Sequence, residues 1–229
     1  MKKIFLEKLL NNINSGSKTF LIKNLKNGEE WFLENASQIP NFSDFPKEDI
    51  LELLNKEKSG IVKSNKKFFL HSFLPKPRMA IVGAVHIAQP LSIIANETGF
   101  DVFLIDPRSA FATRKRFPNI KITSEWPDDA LKKYNPDNRT AIVTLTHDPK
   151  LDDAALSIAL KSNAFYIGSL GSKTTHAGRV KRLTKLGFNE QEIKKIHGPI
   201  GLDIGAMSPA EIAISIMAQI IMVRKKIGV

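Results

Sequence analysis

Residues 79–108 read MAIVGAVHIAQPLSIIANETGFDVFLIDPR. Met79 to Val82 is a short apolar run, and Gly83 follows it as a turn residue. His86 to Glu97 carries its apolar residues at helical spacing. Val102 to Ile105 is a second apolar run, and it ends on Asp106, 23 positions after Gly83. Strand, tight turn, helix, strand, acid is the order of a dinucleotide-binding βαβ unit. A glycine turn that opens a helix presents unpaired N–H groups and the positive end of the helix dipole, which suits an anionic phosphate. Asp106, at the end of the second strand, is placed to accept from ribose hydroxyls. The usual fingerprint is G-x-G-x-x-G/A; here it reads Gly83, Ala84, Val85, His86, Ile87, Ala88. The middle glycine is replaced by Val85, whose side chain is expected to crowd a dinucleotide.

Strands and helices alternate beyond this stretch. Ile120 to Thr123 reads as a strand and Pro127 to Tyr134 as a helix with proline at its first position. Thr140 to Leu145 is a continuous apolar run of the kind buried in a parallel sheet. Asp152 to Leu160 is helical, Ala164 to Ile167 a strand, and Ser172 to Leu186 a helix ended by Gly187. Glu190 to Ile196 reads as a further helix. Ser208-Pro209-Ala210-Glu211 is a capping box that opens the last helix, which runs to Lys226. This alternation predicts an α/β fold, a doubly wound, Rossmann-like parallel sheet over residues 79–229.

Residues 1–74 read differently, as a small N-terminal α+β domain. Lys3 to Leu10 and Lys47 to Lys56 have helical spacing. Thr19 to Leu25 pairs with Glu30 to Leu33 through an Asn-Gly turn, and Gly60 to Val62 pairs with Lys67 to Phe73. Trp31 and the phenylalanines read as core. The prolines within residues 75–78 make that stretch a linker.

With 229 residues, 42% hydrophobic, the chain has the make-up of a globular protein. No apolar run reaches the roughly 18 residues of a membrane span, and Glu7, Lys8 and Asn11 interrupt the N-terminus as a signal peptide. There is no cysteine, which excludes disulfides, thiolate metal ligands and a cysteine nucleophile, and suits a cytoplasmic location. The net charge of +11 is spread without a long basic block. It reads as a lysine-rich surface compatible with an anionic ligand or an acidic partner, without marking a nucleic-acid face.

In such a sheet, ligands bind at the carboxyl ends of the strands, where the strand order reverses. Four sequences fall on that rim: Gly83 to Gln89, Asp106-Pro107-Arg108, Thr146-His147-Asp148-Pro149-Lys150, and Gly168-Ser169-Leu170-Gly171-Ser172-Lys173. With the order 3-2-1-4-5, His86 and His147 would face one crevice, and Ser172 would cap a helix as a second anion cradle. Residues 198–205, GPIGLDIG, are a third glycine-rich stretch and contain Asp203. Each motif also has a structural reading: glycines that only turn the chain, aspartates that only cap. A metal site from His86, His147, His176 and His197 with Asp148 and Asp203 lacks local ligand spacing. A serine hydrolase lacks its G-x-S-x-G elbow.

The stretches GAVHIAQPL, DPRSAFATRKRFP, EWPDDAL, LTHDPKLDDAAL, FYIGSLGSKTTHAGRVKRL and IHGPIGLDIGAMSPAEIAISIMAQI together resemble the C-terminal Rossmann domain of the XdhC/CoxI family, the xanthine dehydrogenase accessory proteins. The resemblance runs from about Arg78 to Arg224. It implies a maturation factor, a cofactor-insertion chaperone rather than an enzyme, that binds molybdenum cofactor (molybdopterin) and delivers it to a molybdenum hydroxylase such as xanthine dehydrogenase. That cofactor is a pterin with a phosphate tail. The turn differs from the family's common GAGH, and residues 1–74 are unlike the family's cysteine-containing N-terminal domain. The expectation is a short variant that works beside a separate polypeptide carrying that domain.

The candidate ligand-binding set is therefore Gly83, Ala84, Val85, His86, Asp106, Arg108, Thr146, His147, Asp148, Gly168, Ser169, Gly171, Ser172 and Asp203, with no catalytic residue and no metal ligand. An NAD(P)-dependent oxidoreductase and an interaction protein without ligand are the alternatives. The last helix is apolar around much of its circumference, which leads us to expect a homo-oligomer.

Overall fold

In the computed structural model, which describes residues 3–227, the chain divides into two units, one ending at Lys76 and one running from Pro77 to Ile227. The first contains α1 (Lys3–Asn14), β1 (Thr19–Asn24), β2 (Glu30–Leu33), a 3-10 turn (Ala36–Gln38), α2 (Lys47–Asn55), β3 (Gly60–Ile61) and β4 (Phe68–Phe73). Its four strands pair antiparallel in the order β2-β1-β4-β3. Alternate residues Phe20 and Ile22 of β1, with Phe68 and Leu70 of β4, face a core that Leu33 and Ile50 complete. Trp31 packs edge-on against Phe45, with ring centroids 5.8 Å apart, so it belongs to that core. The β1–β2 loop is longer than a two-residue turn. Asn24 and Asn27 brace it by accepting from the N–H groups of Lys26 and Glu29.

The second unit contains β5 (Arg78–Val82), α3 (Ala88–Glu97), β6 (Asp101–Ile105), β7 (Lys121–Thr123), α4 (Pro127–Tyr134), β8 (Thr140–Thr144), α5 (Pro149–Ala159), β9 (Tyr166–Ser169), α6 (Lys173–Lys185), α7 (Glu190–Ile193), β10 (Ile196–His197) and α8 (Pro209–Ile227). All six strands are parallel, in the order β10-β9-β8-β5-β6-β7. This is the doubly wound sheet, with one more strand than the sequence suggested. β10 is only two residues long and has no apolar run to announce it. The expected helix through Ile196 stops at Ile193 and gives way to it.

The continuous apolar runs are explained by burial on both faces. Met79, Ile81, Ala141 and Val143 face α3 and α8, while Ala80, Val82 and Ile142 face α4, α5 and α6. α8 buries Ala213, Ile216, Met217 and Ile220 against this sheet, and Ile214 and Met222 remain exposed. Its capping box forms: Glu211 N–H donates to Ser208 Oγ, and Ser208 N–H to Glu211 Oε2. No helix among the described residues is long and apolar enough to cross a membrane.

The third glycine-rich stretch docks α8. Ser215 Oγ donates to Leu202 O at 2.6 Å, and Gln219 both accepts from Gly201 N–H and donates to Gly201 O. Tyr166 Oη donates to the same Gln219 oxygen. A Cβ on Gly201 would stand 2.3 Å from Ser215 Oγ, and its φ is +95°. Gly201→Ala is therefore expected to lower stability by about 1–3 kcal/mol, read as a shift of the urea midpoint. An unchanged midpoint would show that α8 can move away at no cost.

Candidate functional site

β5 and β8 are neighbours, but the chain leaves them in opposite directions. After β5 it crosses to α3 on one face; after β8 it crosses to α5 on the other. The two loops part at the carboxyl ends of the strands, the place where sheets of this kind bind their ligands.

The turn after β5 is held on all sides. Gly83 N–H donates to Ile105 O at 2.8 Å. Gly83 has φ +110°, and a Cβ there would meet Thr146 Cγ2 at 2.8 Å and the Leu145–Thr146 backbone. The first fingerprint glycine is thus required by the neighbouring chain. Ala84 N–H donates to Asp106 Oδ2 at 2.7 Å, and Ala84 O accepts from Arg116 Nη1 at 2.8 Å. The same Arg116 nitrogen donates to Phe111 O, and Nη2 donates to Gln89 Oε1. In a trans peptide the N–H points opposite to the C=O, so Val85 N–H is turned away from Arg116. The N–H groups of Val85, His86 and Ile87 make no hydrogen bond among the described residues. Val85 itself rests partly on the core, and His86 is exposed.

Asp106 does not face a ribose. It is fully buried, and its carboxylate accepts from Ala84 N–H and from Arg108 N–H, Nε and Nη2, at 2.7–2.9 Å. A carboxylate has about four acceptor positions, so none is left over. Burial pushes the Asp106 carboxyl up. The Arg108 side chain and the two backbone N–H groups outweigh it, and the group sits below the usual carboxylate range.

At the end of β8, Thr146 is buried, and its N–H and Oγ1 donate to Asp152 Oδ1. His147 is exposed in the left-handed region, with φ +61°. Asp148 caps α5 by accepting from Lys150 N–H at 2.9 Å, so its Oδ1 is taken. The helix begins earlier than its apolar spacing indicated, because Asp148 and Pro149 supply its cap and first position. Asp148 and Asp152 both act electrostatically on Arg108, and His147 acts on Asp152. The ends of β6 and β8 therefore share one electrostatic environment.

Two buried charged residues beneath this rim escaped the sequence reading. Asp152 is 2% exposed, and burial pushes its carboxyl up against the pull of the Thr146 hydrogen bonds. Arg179, equally buried, donates to Leu170 O at 2.8 Å and lies 4.0 Å from Asp152. Together they tie the loop after β8 to the loop after β9. The signal was available: Asp152, Ala155, Leu156 and Ala159 share one helical face, and an acid on such a face is out of place.

The β9 end departs from expectation. Gly168 and Ser169 belong to the strand and are buried. A Cβ on Gly168 would meet Ile200 Cδ1 at 2.5 Å, and Ser169 Oγ bonds to Thr144 Oγ1. Both are packing residues, not an anion cradle. Gly171 turns tightly against Thr175, and Ser172 caps α6 by accepting from Thr175 N–H. Asp203 is exposed on the loop before α8. The histidines do not gather. His176 stands against Gly198, and His197 stacks on Tyr166 with centroids 4.7 Å apart. Burial lowers the proton affinity of both. No group of three or more His, Cys, Asp or Glu side chains among the described residues is placed to hold a metal ion.

Known proteins resemble this one over both units. The family model described as the XdhC Rossmann domain matches residues 79–220. A Bacillus subtilis protein named as a probable subunit of xanthine dehydrogenase is 30% identical over all 229 residues, which make up 67% of its length. The "Molybdenum cofactor insertion chaperone PaoD" of Escherichia coli is 30% identical over 66% of this chain and 42% of its own. A crystal structure described as a xanthine dehydrogenase from Bacillus halodurans superimposes with TM-score 0.75 at 28% identity, over 96% of this chain and 64% of that one. The chain thus spans about two thirds or less of the length of these relatives. The two Bacillus likenesses take in the N-terminal unit, which the sequence motifs did not reach.

The Asp106 arrangement has a measurable consequence. Asparagine there would keep one acceptor oxygen for two of the four N–H donors and set an NH2 against the other two. Asp106→Asn is expected to cost about 1–3 kcal/mol. A carboxyl held below its unfolded value of about 3.9 contributes stability at neutral pH that disappears as pH falls through its folded value. Urea midpoints between pH 7 and pH 3 should fall toward acid more steeply in the native protein than in the variant. Parallel curves would contradict the assignment.

Proposed function

Since the chain belongs to the XdhC Rossmann-domain family, we propose that it is an accessory factor for a molybdenum hydroxylase of the xanthine dehydrogenase type. In this reading it holds the molybdenum cofactor as cargo on the carboxyl rim of its parallel sheet and passes it to the enzyme. The observation that carries the reading is the state of the turn after β5. Three consecutive N–H groups, on Val85, His86 and Ile87, are free to receive an anion, while Asp106 is closed to a ribose. A pterin with a phosphate tail fits such a donor set. A nicotinamide dinucleotide, which needs an acceptor at the end of the second strand, fits it poorly.

The proposed contacts follow from what each group has to offer. The turn N–H groups and Arg108 take the phosphate. His147 and the N–H groups ahead of α6, beside Ser172, donate to anionic or carbonyl oxygens. Asp148 keeps Oδ2, and Asp203 keeps its carboxylate, to accept from ring N–H groups. None of these roles requires a bond to be made or broken. The name of the PaoD relative supports the cargo, and the Bacillus relatives support the kind of client enzyme.

His147 gives the sharpest test, because a non-glycine residue in the left-handed region is strained. His147→Gly is expected to raise stability by about 0.5–1 kcal/mol and to reduce the cofactor retained. Asp148→Asn keeps the helix cap and should also reduce retention; Asp148→Ala would lose the cap as well. The measurement is the pterin content of protein purified from a host that makes the cofactor, by fluorescence after oxidation, beside thermal melts. Nicotinamide nucleotide in place of pterin would favour an oxidoreductase. Protein purified without any small molecule would favour a pure interaction protein.

A further inference from the structure

We propose that the corner formed by the turn after β5, Asp106 and Arg108 selects a phosphate monoester over a dinucleotide; this rests on reading the rim as an anion site. Asp106 Oδ2 accepts from both Ala84 N–H and Arg108 Nη2, so the guanidinium stands beside the turn. Nε and Nη2 are held by Asp106, whereas Nη1 makes no hydrogen bond among the described residues. The Arg108 side chain is 37% exposed, and the Phe111 ring lies 4.8 Å from its central carbon.

A guanidinium only donates, and its geometry matches an anionic oxygen. It occupies the carboxylate at the strand end that would otherwise bind a diol, and it offers the opposite chemistry beside the turn. The next groups along the turn, the N–H of Val85, His86 and Ile87, are donors as well. Arg116 adds charge, because its hydrogen-bond partners are all neutral: Ala84 O, Phe111 O and Gln89 Oε1. The Asp106–Arg108 pair cancels formally, Arg116 adds a cation on the other side of the turn, and Asp148 at the end of β8 adds an anion that acts on Arg108. A corner made of donors, with Arg116 behind it, favours the phosphate with the most free oxygens. A monoester offers three terminal oxygens and about −1.5 to −2 charge at pH 7. A phosphate inside a dinucleotide offers two and a single charge. It also brings a second ribose to a corner with no acceptor for its hydroxyls, and Val85 replaces the glycine that lets a pyrophosphate approach the backbone.

The test uses the full chain and three probes that share one ring: riboflavin, FMN, which ends in a monoester, and FAD, which carries the dinucleotide. Isothermal titration at fixed ionic strength should show FMN bound at least tenfold more tightly than either of the others. In Arg108→Gln the preference of FMN over FAD should shrink below threefold. Arg108→Lys keeps the pair's charge but loses the free fork nitrogen, and serves if the glutamine variant does not fold. FAD binding as tight as FMN, FMN binding no tighter than riboflavin, or a preference unchanged in a folded Arg108 variant would each overturn the proposal. Pterin retention is a separate readout. If pterin is absent while the FMN preference holds, the cargo assignment falls and the phosphate selectivity stands. If pterin is retained without that preference, the reverse follows.

Discussion

The carboxylate of Asp106 ties the second strand of the parallel sheet to the turn after the first. It is buried, it accepts four N–H groups, and one of them belongs to Ala84 in that turn. A buried charge is tolerable only when it is paired and hydrogen-bonded, so Arg108 must lie across it. Once Arg108 is fixed there, the loop carrying Phe111 and Arg116 comes alongside the turn, and Arg116 takes the Ala84 carbonyl. Both peptide groups of Ala84 are then committed. The chain beyond it has its next three N–H groups free and runs into α3. The free N–H groups on this part of the rim are a consequence of how one acid is satisfied.

The same economy governs the other side of the switch point. Gly83 has no side chain because the Leu145–Thr146 backbone passes too close. Thr146 is held in turn by Asp152, and Asp152 lies against Arg179, which holds Leu170. Three rim loops, after β5, β8 and β9, are thus linked by packing and by two buried charges. Partly satisfied buried charges are costly compared with apolar packing. Their place beneath the switch point, instead of elsewhere in the core, is consistent with a need to fix the loops' relative positions.

Periodicity made the parallel sheet legible, because a strand buried on both faces leaves a continuous apolar run and few other patterns do. The caps at Ser172 and Ser208 were legible because their chemistry is local. Gly168 and Ser169 were misplaced by a short distance. A strand that ends on Gly-Ser looks the same in sequence as a loop that begins with them, and only the Ile200 side chain and Thr144 decide it. The two-residue β10 had no periodicity to read. Asp106 was located correctly but given the wrong partner. An acid at a strand end carries the same letter whether it faces a ligand or its own chain, and the answer lay in Arg108, two residues on.

A protein proposed to carry a cofactor has to hold it and then release it. The rim is suited to that balance, because it does not present a dense field of one sign. Arg108 is neutralised by Asp106, the Asp152 carboxylate lies against Arg179, and Asp148 has one oxygen in a helix cap. What remains are backbone N–H dipoles, the single nitrogen of Arg108, the Arg116 charge behind the turn, and the exposed His147. Dipoles fixed by the fold bind an anion without reorganising, and they lose it without leaving a cluster of cations unpaired. The overall charge of +11 can attract an anionic cargo or an acidic client over a distance, but it falls off with salt. What the rim can select rests on short-range geometry, and that geometry leads back to Asp106.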